Sequence, residues 1–279
     1  MRILVLFLLS FIVAAGISFN LNTLVHTPSG PIQGTSENVH GFPIQGILSI
    51  PYAEPPLGSQ RFLKPKPVKP WTKTLKATKL PPACIQNMDL PEQSEDCLYL
   101  NIYAPIYAIK GSNLAVLFWI HGGAFVFGSS RDDIYNASAL VLHGNVIVVT
   151  INYRLGVFGF LTSNTTDAPG NVGMYDMFTA LQWVNRNIES FGGDKERITL
   201  IGESAGSMSI SLFCVSPLTK GLFSKAIMES GSIVVLTTNQ LQPNLDLSQQ
   251  VAEVVGCASD DITIESDPES VVGCLRSNE

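Results

Sequence analysis

The chain has 279 residues, with 17 basic and 23 acidic side chains and a net charge of −6. That acidic excess argues against a nucleic-acid binder, which needs a basic face to displace counterions from phosphates. Hydrophobic residues make up 46% and charged residues only 14%, so the chain can bury a core and is far from a disordered composition. The length fits one large or two ordinary domains.

Behind Met1 and Arg2, an apolar run from Ile3 to Ile17 is broken only by Ser10 and ends among the small residues Ala14, Ala15, Gly16 and Ser18. A basic start, a hydrophobic segment and a small-residue region read as a secretory signal over residues 1–18, cut after Gly16 or Ser18. The run is shorter than the ~20 residues that cross a bilayer, and no other stretch is long enough, so no stable membrane span is expected. The destination is then extracellular or the lumen of the secretory pathway.

Gly30 to Pro82 is rich in Pro and Gly. Proline neither donates to a ladder nor continues a helix, so this segment reads as extended chain and edge strand wrapped over the body, with its lysines on a solvated face. Five cysteines in a secreted chain should pair and leave one over. Cys84 and Cys97 close one short loop, Cys257 and Cys274 another, and Cys214 is left within the apolar stretch Leu212 to Val215. No CxxC pair is present and His26, His40, His121 and His143 are scattered, so no metal site is expected. Asn136-Ala-Ser138 and Asn164-Thr-Thr166 are sequons suited to a secreted surface.

Four unbroken apolar runs follow: Leu114 to Ile120, Val146 to Ile151, Ile198 to Ile201 and Ala226 to Met228. Strands apolar on both faces belong to a parallel sheet covered by helices. Met174, Met177, Phe178, Leu181, Trp183, Val184 and Ile188 recur at helical spacing, and Phe191-Gly-Gly193 supplies the stop. Further helices are expected from Ser204 to about Val215 and from about Asp246 to Val255. Strand and helix in alternation predict an α/β fold with a mostly parallel central sheet flanked by helices.

Gly202-Glu203-Ser204-Ala205-Gly206 follows the strand Ile198 to Ile201 and opens a helix. A serine on so tight a turn projects its hydroxyl clear of the sheet, and the flanking glycines let strand and helix approach. The helix N-terminus adds backbone donors and partial positive charge. His121-Gly122-Gly123-Ala124-Phe125, directly behind the strand Leu114 to Ile120, is a glycine loop of the kind that turns its amides toward such a serine.

These blocks resemble the type-B carboxylesterases and cholinesterases of the α/β-hydrolase fold. The likeness runs from about Gly30 to the end, through Ile50-Pro-Tyr-Ala53, Ser94-Glu-Asp-Cys-Leu-Tyr-Leu-Asn101, Asn152-Tyr-Arg-Leu-Gly-Val-Phe-Gly-Phe160, Gly170-Asn-Val-Gly173, Phe191-Gly-Gly-Asp194 and Gly221-Leu-Phe223. The resemblance implies that residues 19–279 are the N-terminal portion of such a domain. It also implies that Ser204 is the nucleophile, that the amides of Gly123, Ala124 and Ala205 form the oxyanion hole, and that Glu203 tunes the site. The disulfides Cys84–Cys97 and Cys257–Cys274, and the ion pairs Arg61 to Glu95 and Arg154 to Asp176, are implied as well. Ala124 stands where many members have a third glycine, which narrows that side of the pocket. No tryptophan lies between Cys84 and Cys97, where cholinesterases place one for a quaternary ammonium, so a carboxylesterase is the closer reading.

The expected activity is hydrolysis of small-molecule carboxylic esters through an acyl-enzyme on Ser204, without cofactor or metal. A non-catalytic relative serving adhesion or ligand binding is the alternative, and such proteins commonly lose the serine that is present here. In α/β-hydrolases the order is serine, acid, histidine. No histidine follows Ser204, and His143 is expected on the helix side, far from it. The sequence therefore reads as truncated before the triad acid and base, with negligible activity alone and an apolar sheet edge awaiting later strands.

Overall fold

The structure is a computed structural model describing residues 23–236 and 241–278; the signal expected over residues 1–18 lies outside them. Seven strands form the central sheet: β1 (Thr35–Val39), β2 (Phe42–Pro51), β3 (Tyr99–Pro105), β4 (Leu114–Ile120), β5 (Ile147–Ile151), β6 (Gly193–Glu203) and β7 (Lys225–Glu229). Their spatial order is β7-β6-β4-β5-β3-β2-β1. The four apolar runs predicted as parallel strands all pair in parallel, as β5 with β4, β4 with β6, and β6 with β7. The other half, β5 with β3, β3 with β2 and β2 with β1, is antiparallel. The sheet is thus mixed.

Side-chain alternation divides β4 and β5 between two cores. Val116, Phe118 and Ile120 turn to one face, where they meet Met177, Leu181 and Val184 of α3 (Val172–Asn187) and Ile210 and Phe213 of α4 (Ala205–Val215). Leu117 and Val148 turn to the other, against Val141 of α1 (Ser138–Gly144) together with Ile44 and Tyr103. Helices on both faces explain why these strands carry apolar residues without alternation.

Two strands of the antiparallel half were not legible. The Pro-rich segment does wrap the body, but it also contains β2, which is an internal strand and not the expected edge. Pro43 and Pro51 lie near its ends and leave Ile44 to Ile47 free to pair with β3. β3 was masked by Asn101, whose buried amide donates to Ser130 Oγ at 3.2 Å and Thr150 Oγ1 at 3.1 Å. After the short helix α2 (Gly156–Phe160) and then α3 and α4, two helices close the described chain. α5 (Leu241–Val254) begins before the expected Asp246 because Pro243 falls in its first turn, where no intrahelical N–H is lost. α6 (Pro268–Ser277) has Asp267 as N-cap, accepting from Ser270 N at 3.1 Å, and Pro268 at its first position.

Both implied disulfides are present, Cys84–Cys97 and Cys257–Cys274, and Cys214 is free and exposed. Arg61 donates from Nε and Nη2 to the two oxygens of Glu95, and Nη1 donates to the carbonyl of Leu275 at 3.1 Å at the end of α6. Arg154 and Asp176 make a fully buried fork, with bonds of 2.8 and 2.7 Å. Among the described residues no helix is long and apolar enough to cross a membrane.

Candidate active site

Adjacent parallel strands β4 and β6 end side by side, and each runs directly into one of the predicted motifs. Behind β6, Ser204 holds φ 52° and ψ −116°, outside the regions open to an L-residue without strain. Such a conformation costs of order 1–3 kcal/mol and persists only where its surroundings enforce it. Here they do. Ser204 N donates to Glu229 O at 2.8 Å, at the end of β7, and Ser207 Oγ donates to Gly231 O at 2.6 Å. A Cβ on Gly206 would collide with the carbonyl of Ile120, and one on Gly202 would lie 2.8 Å from the same oxygen. The two glycines therefore let helix α4 start against β4, and Ser204 is left half-buried at the turn.

The glycine loop lies against this elbow. A Cβ on Gly122 would be 3.2 Å from Ser204 Cβ and 2.5 Å from Glu203 Oε2. Gly123, Ala124 and Phe125 all have positive φ, at 102°, 53° and 63°. The turn is held by Val126 N donating to Gly123 O at 2.9 Å and by Gly156 N donating to Phe125 O at 2.8 Å. Among the described residues, the N–H groups of Gly123, Ala124 and Ala205 donate to no protein acceptor. Ala205 is the first residue of α4, so its amide has no intrahelical partner.

His121 anchors the base of the loop. It is 1% exposed, and its Nδ1 lies 2.8 Å from Gly122 O, which requires a proton on Nδ1. Burial pushes its pKa down to about 4, against the smaller opposing effect of that bond, so the ring is neutral at pH 7. It stacks on Tyr153 at 4.4 Å, and the Tyr153 hydroxyl donates to His121 O at 2.9 Å. Burial, followed by the carboxylates of Asp132 and Glu203, raises the pKa of the neighbouring Tyr135.

Sequence reasoning missed Gln86. From inside the Cys84–Cys97 loop its amide donates to Gly128 O at 3.0 Å and accepts from Gly128 N at 2.8 Å. Gly128 in turn lies where a Cβ would be 2.6 Å from His121 Nδ1. No local signal marks a glutamine for this role. The end of β7 was also missed as a support for Ser204.

A cavity of about 820 Å³ opens beside Ala124, lined by Phe125, Phe160, Met208, Leu212 and Phe213 among others. It is mostly apolar and suited to a hydrocarbon group. Asn136 and Asn164 are exposed. Among the described residues no three His, Cys, Asp or Glu side chains group as metal ligands.

Residues 21–279 match the family model of the carboxylesterase family. Acetylcholinesterase-1 of Trittame loki is 45% identical over 92% of this chain and 48% of its own length. Carboxylesterase 5A of Homo sapiens is 44% identical over 90% of this chain and 45% of its own, and cocaine esterase of Homo sapiens is 43% identical over 90% and 46%. The chain spans about half the length of the curated relatives it matches. With the elbow, the glycine loop and the two disulfides in place, a match over nearly the whole sequence leaves one assignment: the chain belongs to the carboxylesterase family, with its α/β-hydrolase fold.

Proposed function

We propose that this chain carries the nucleophile and oxyanion hole of a secreted serine hydrolase of carboxylic esters. The observation behind this reading is Ser204 on a strained elbow with the glycine loop packed against it. Ser204 Oγ attacks the ester carbonyl carbon and its proton passes to a base. The tetrahedral oxygen accepts from the N–H groups of Gly123, Ala124 and Ala205, and collapse expels the alcohol as its oxygen is reprotonated. Water, activated by the same base, then attacks the acyl-Ser204 and releases the acid. The cavity beside Ala124 suits an apolar acyl or alcohol group.

The base and its orienting carboxylate are proposed to lie outside these 279 residues. His121 is buried and bonded to Gly122. His143 is on α1, which packs on β2, β3 and β5, and His26 and His40 lie in the N-terminal strands and turns. Triad histidines supply on the order of a million-fold in rate. Secretion and glycosylation at Asn136 and Asn164 belong to the same proposal, supported by the two disulfides and by the exposure of both asparagines.

Turnover of a nitrophenyl ester tests the division of labour. The chain alone should turn it over no faster than its Ser204→Ala variant, because without the base water is not activated to release an acyl-Ser204. A fusion to the part of human carboxylesterase 5A beyond its matched half should turn it over in a Ser204-dependent way. Rapid turnover by the chain alone, or a folded fusion whose activity survives Ser204→Ala, overturns the reading.

A further inference from the structure

The charge of this chain is strongly segregated. Residues 55–88 contain Arg61 and six lysines between Lys64 and Lys79 with no acidic residue, while the other ten basic residues share the sequence with all 23 acidic ones. All six lysines are exposed. Lys69 meets Glu54 at 3.0 Å and Lys64 sits over the Tyr175 ring at 4.0 Å. Among the described residues, Lys66, Lys73, Lys76 and Lys79 have no carboxylate within ion-pair distance.

The backbone beneath them is fixed. Lys66 O accepts from Glu54 N at 2.8 Å, Val68 N donates to Tyr52 O at 3.2 Å, Trp71 N to Ser29 O at 2.8 Å, and Ala77 N to Gln33 O at 2.8 Å. Val68, Trp71 and Leu75 pack against the main core. Pro65, Pro67 and Pro70 stiffen the first part as extended chain, which presents Lys66 and Lys69 at the three-residue spacing that shares one side of a polyproline-type helix. A polyanion therefore meets charges whose backbone is already ordered, and bound counterions are released on contact.

The strip offers charge and little else. Single-stranded nucleic acid is held by exposed aromatic platforms, yet Phe62 is buried and Trp71 is only partly exposed, its indole donating to Pro31 O at 3.0 Å. Stable anchoring on a membrane surface takes an apolar insertion beside the charge, and no large apolar side chain between Arg61 and Lys79 is exposed. We propose that the strip from Lys64 to Lys79 docks a linear, densely sulfated polysaccharide, independently of ester hydrolysis.

Binding of a heparin octasaccharide to the full chain, measured across a NaCl series, tests this. Two variants each remove four positive charges: Lys66, Lys73, Lys76 and Lys79 to Gln in one, and Lys110, Lys195, Lys220 and Lys225 to Gln in the other. The first should lose affinity at least tenfold and show a shallower salt dependence, while the second stays within about twofold of the parent chain. Circular dichroism confirms that both remain folded. Absence of salt-sensitive binding by the parent chain, or equal loss in the two variants, overturns the proposal. So does tighter binding of oligo(dT) or phosphatidylserine vesicles than of the octasaccharide.

Discussion

Ser204 owes its position to residues that contribute no chemistry. Its unfavourable φ and ψ are locked by the bond to Glu229 and by the contact of Gly206 with the Ile120 carbonyl. Gly206→Val would drive a branched side chain into that backbone, and an expected loss of about 3 kcal/mol or more would appear as a lowered urea midpoint. Ser204→Ala removes one oxygen at a half-buried turn and should leave the midpoint nearly unchanged; equal destabilisation by both variants would contradict the elbow. His121 gives the site a pH signature. The unfolded imidazole takes up a proton below about 6.5, whereas the folded one does so only below about 4. Between these values the unfolded chain binds more protons, so stability falls as pH drops through that window, by up to roughly 3 kcal/mol, and the contribution levels off below it. His121→Asn keeps a donor near Nδ1 without titrating there. The difference in urea midpoint between parent and variant should shrink from pH 7 to pH 4.5, and parallel profiles would refute the neutral, buried assignment. The GxSxG and HGGA blocks were legible at this scale because their spacing is local; the neutral state of His121 was not, because its burial depends on Tyr153 and on the Gln86 that holds Gly128, both far along the chain.

Elements hold these residues through long-range ties. The Cys84–Cys97 disulfide closes a loop of sequence separation 13, from which Gln86 reaches Gly128 and, through it, the ring of His121. Loop-closure entropy for about 15 residues is worth ~3 kcal/mol, a large share of the stability of an ordinary domain. Replacing both Cys84 and Cys97 by Ala should therefore lower the urea midpoint by a comparable amount and speed amide exchange at Gly128. A variant with parent-like stability and exchange would show that the loop is a passive appendage. The sequence revealed the strands buried on both faces, since a run such as Leu114 to Ile120 has no alternation to confuse, and it revealed α3 through its period. β2 and β3 escaped because proline at the ends of one and a buried asparagine in the other break the apolar run. α6 was not expected, although Asp267-Pro268-Glu269 has the composition of an N-cap and first helical turn.

Across the whole molecule, the parallel half of the sheet carries the elbow and the glycine loop, and the antiparallel half carries the wrapping. β4 and β6 deliver the glycine loop and the elbow to one end, as expected of ligand sites at the carboxyl ends of parallel strands. β7 forms the outer edge, with Ile227 44% and Met228 49% exposed, in a chain about half as long as its relatives. The family and fold were legible because several motif blocks recur in order along the chain; the mixed pairing was not, because strand direction depends on connections that no single block encodes. The central claim is that Ser204 is the nucleophile, and its most direct test is covalent. A fluorophosphonate incubated with the folded chain, followed by tandem mass spectrometry, should place a slowly formed adduct on Ser204 above all other serines, because the oxyanion hole accelerates attack even without the base. The adduct should vanish in Ser204→Ala. Labelling that settles on another residue, fails at Ser204, or persists in the variant would contradict the account.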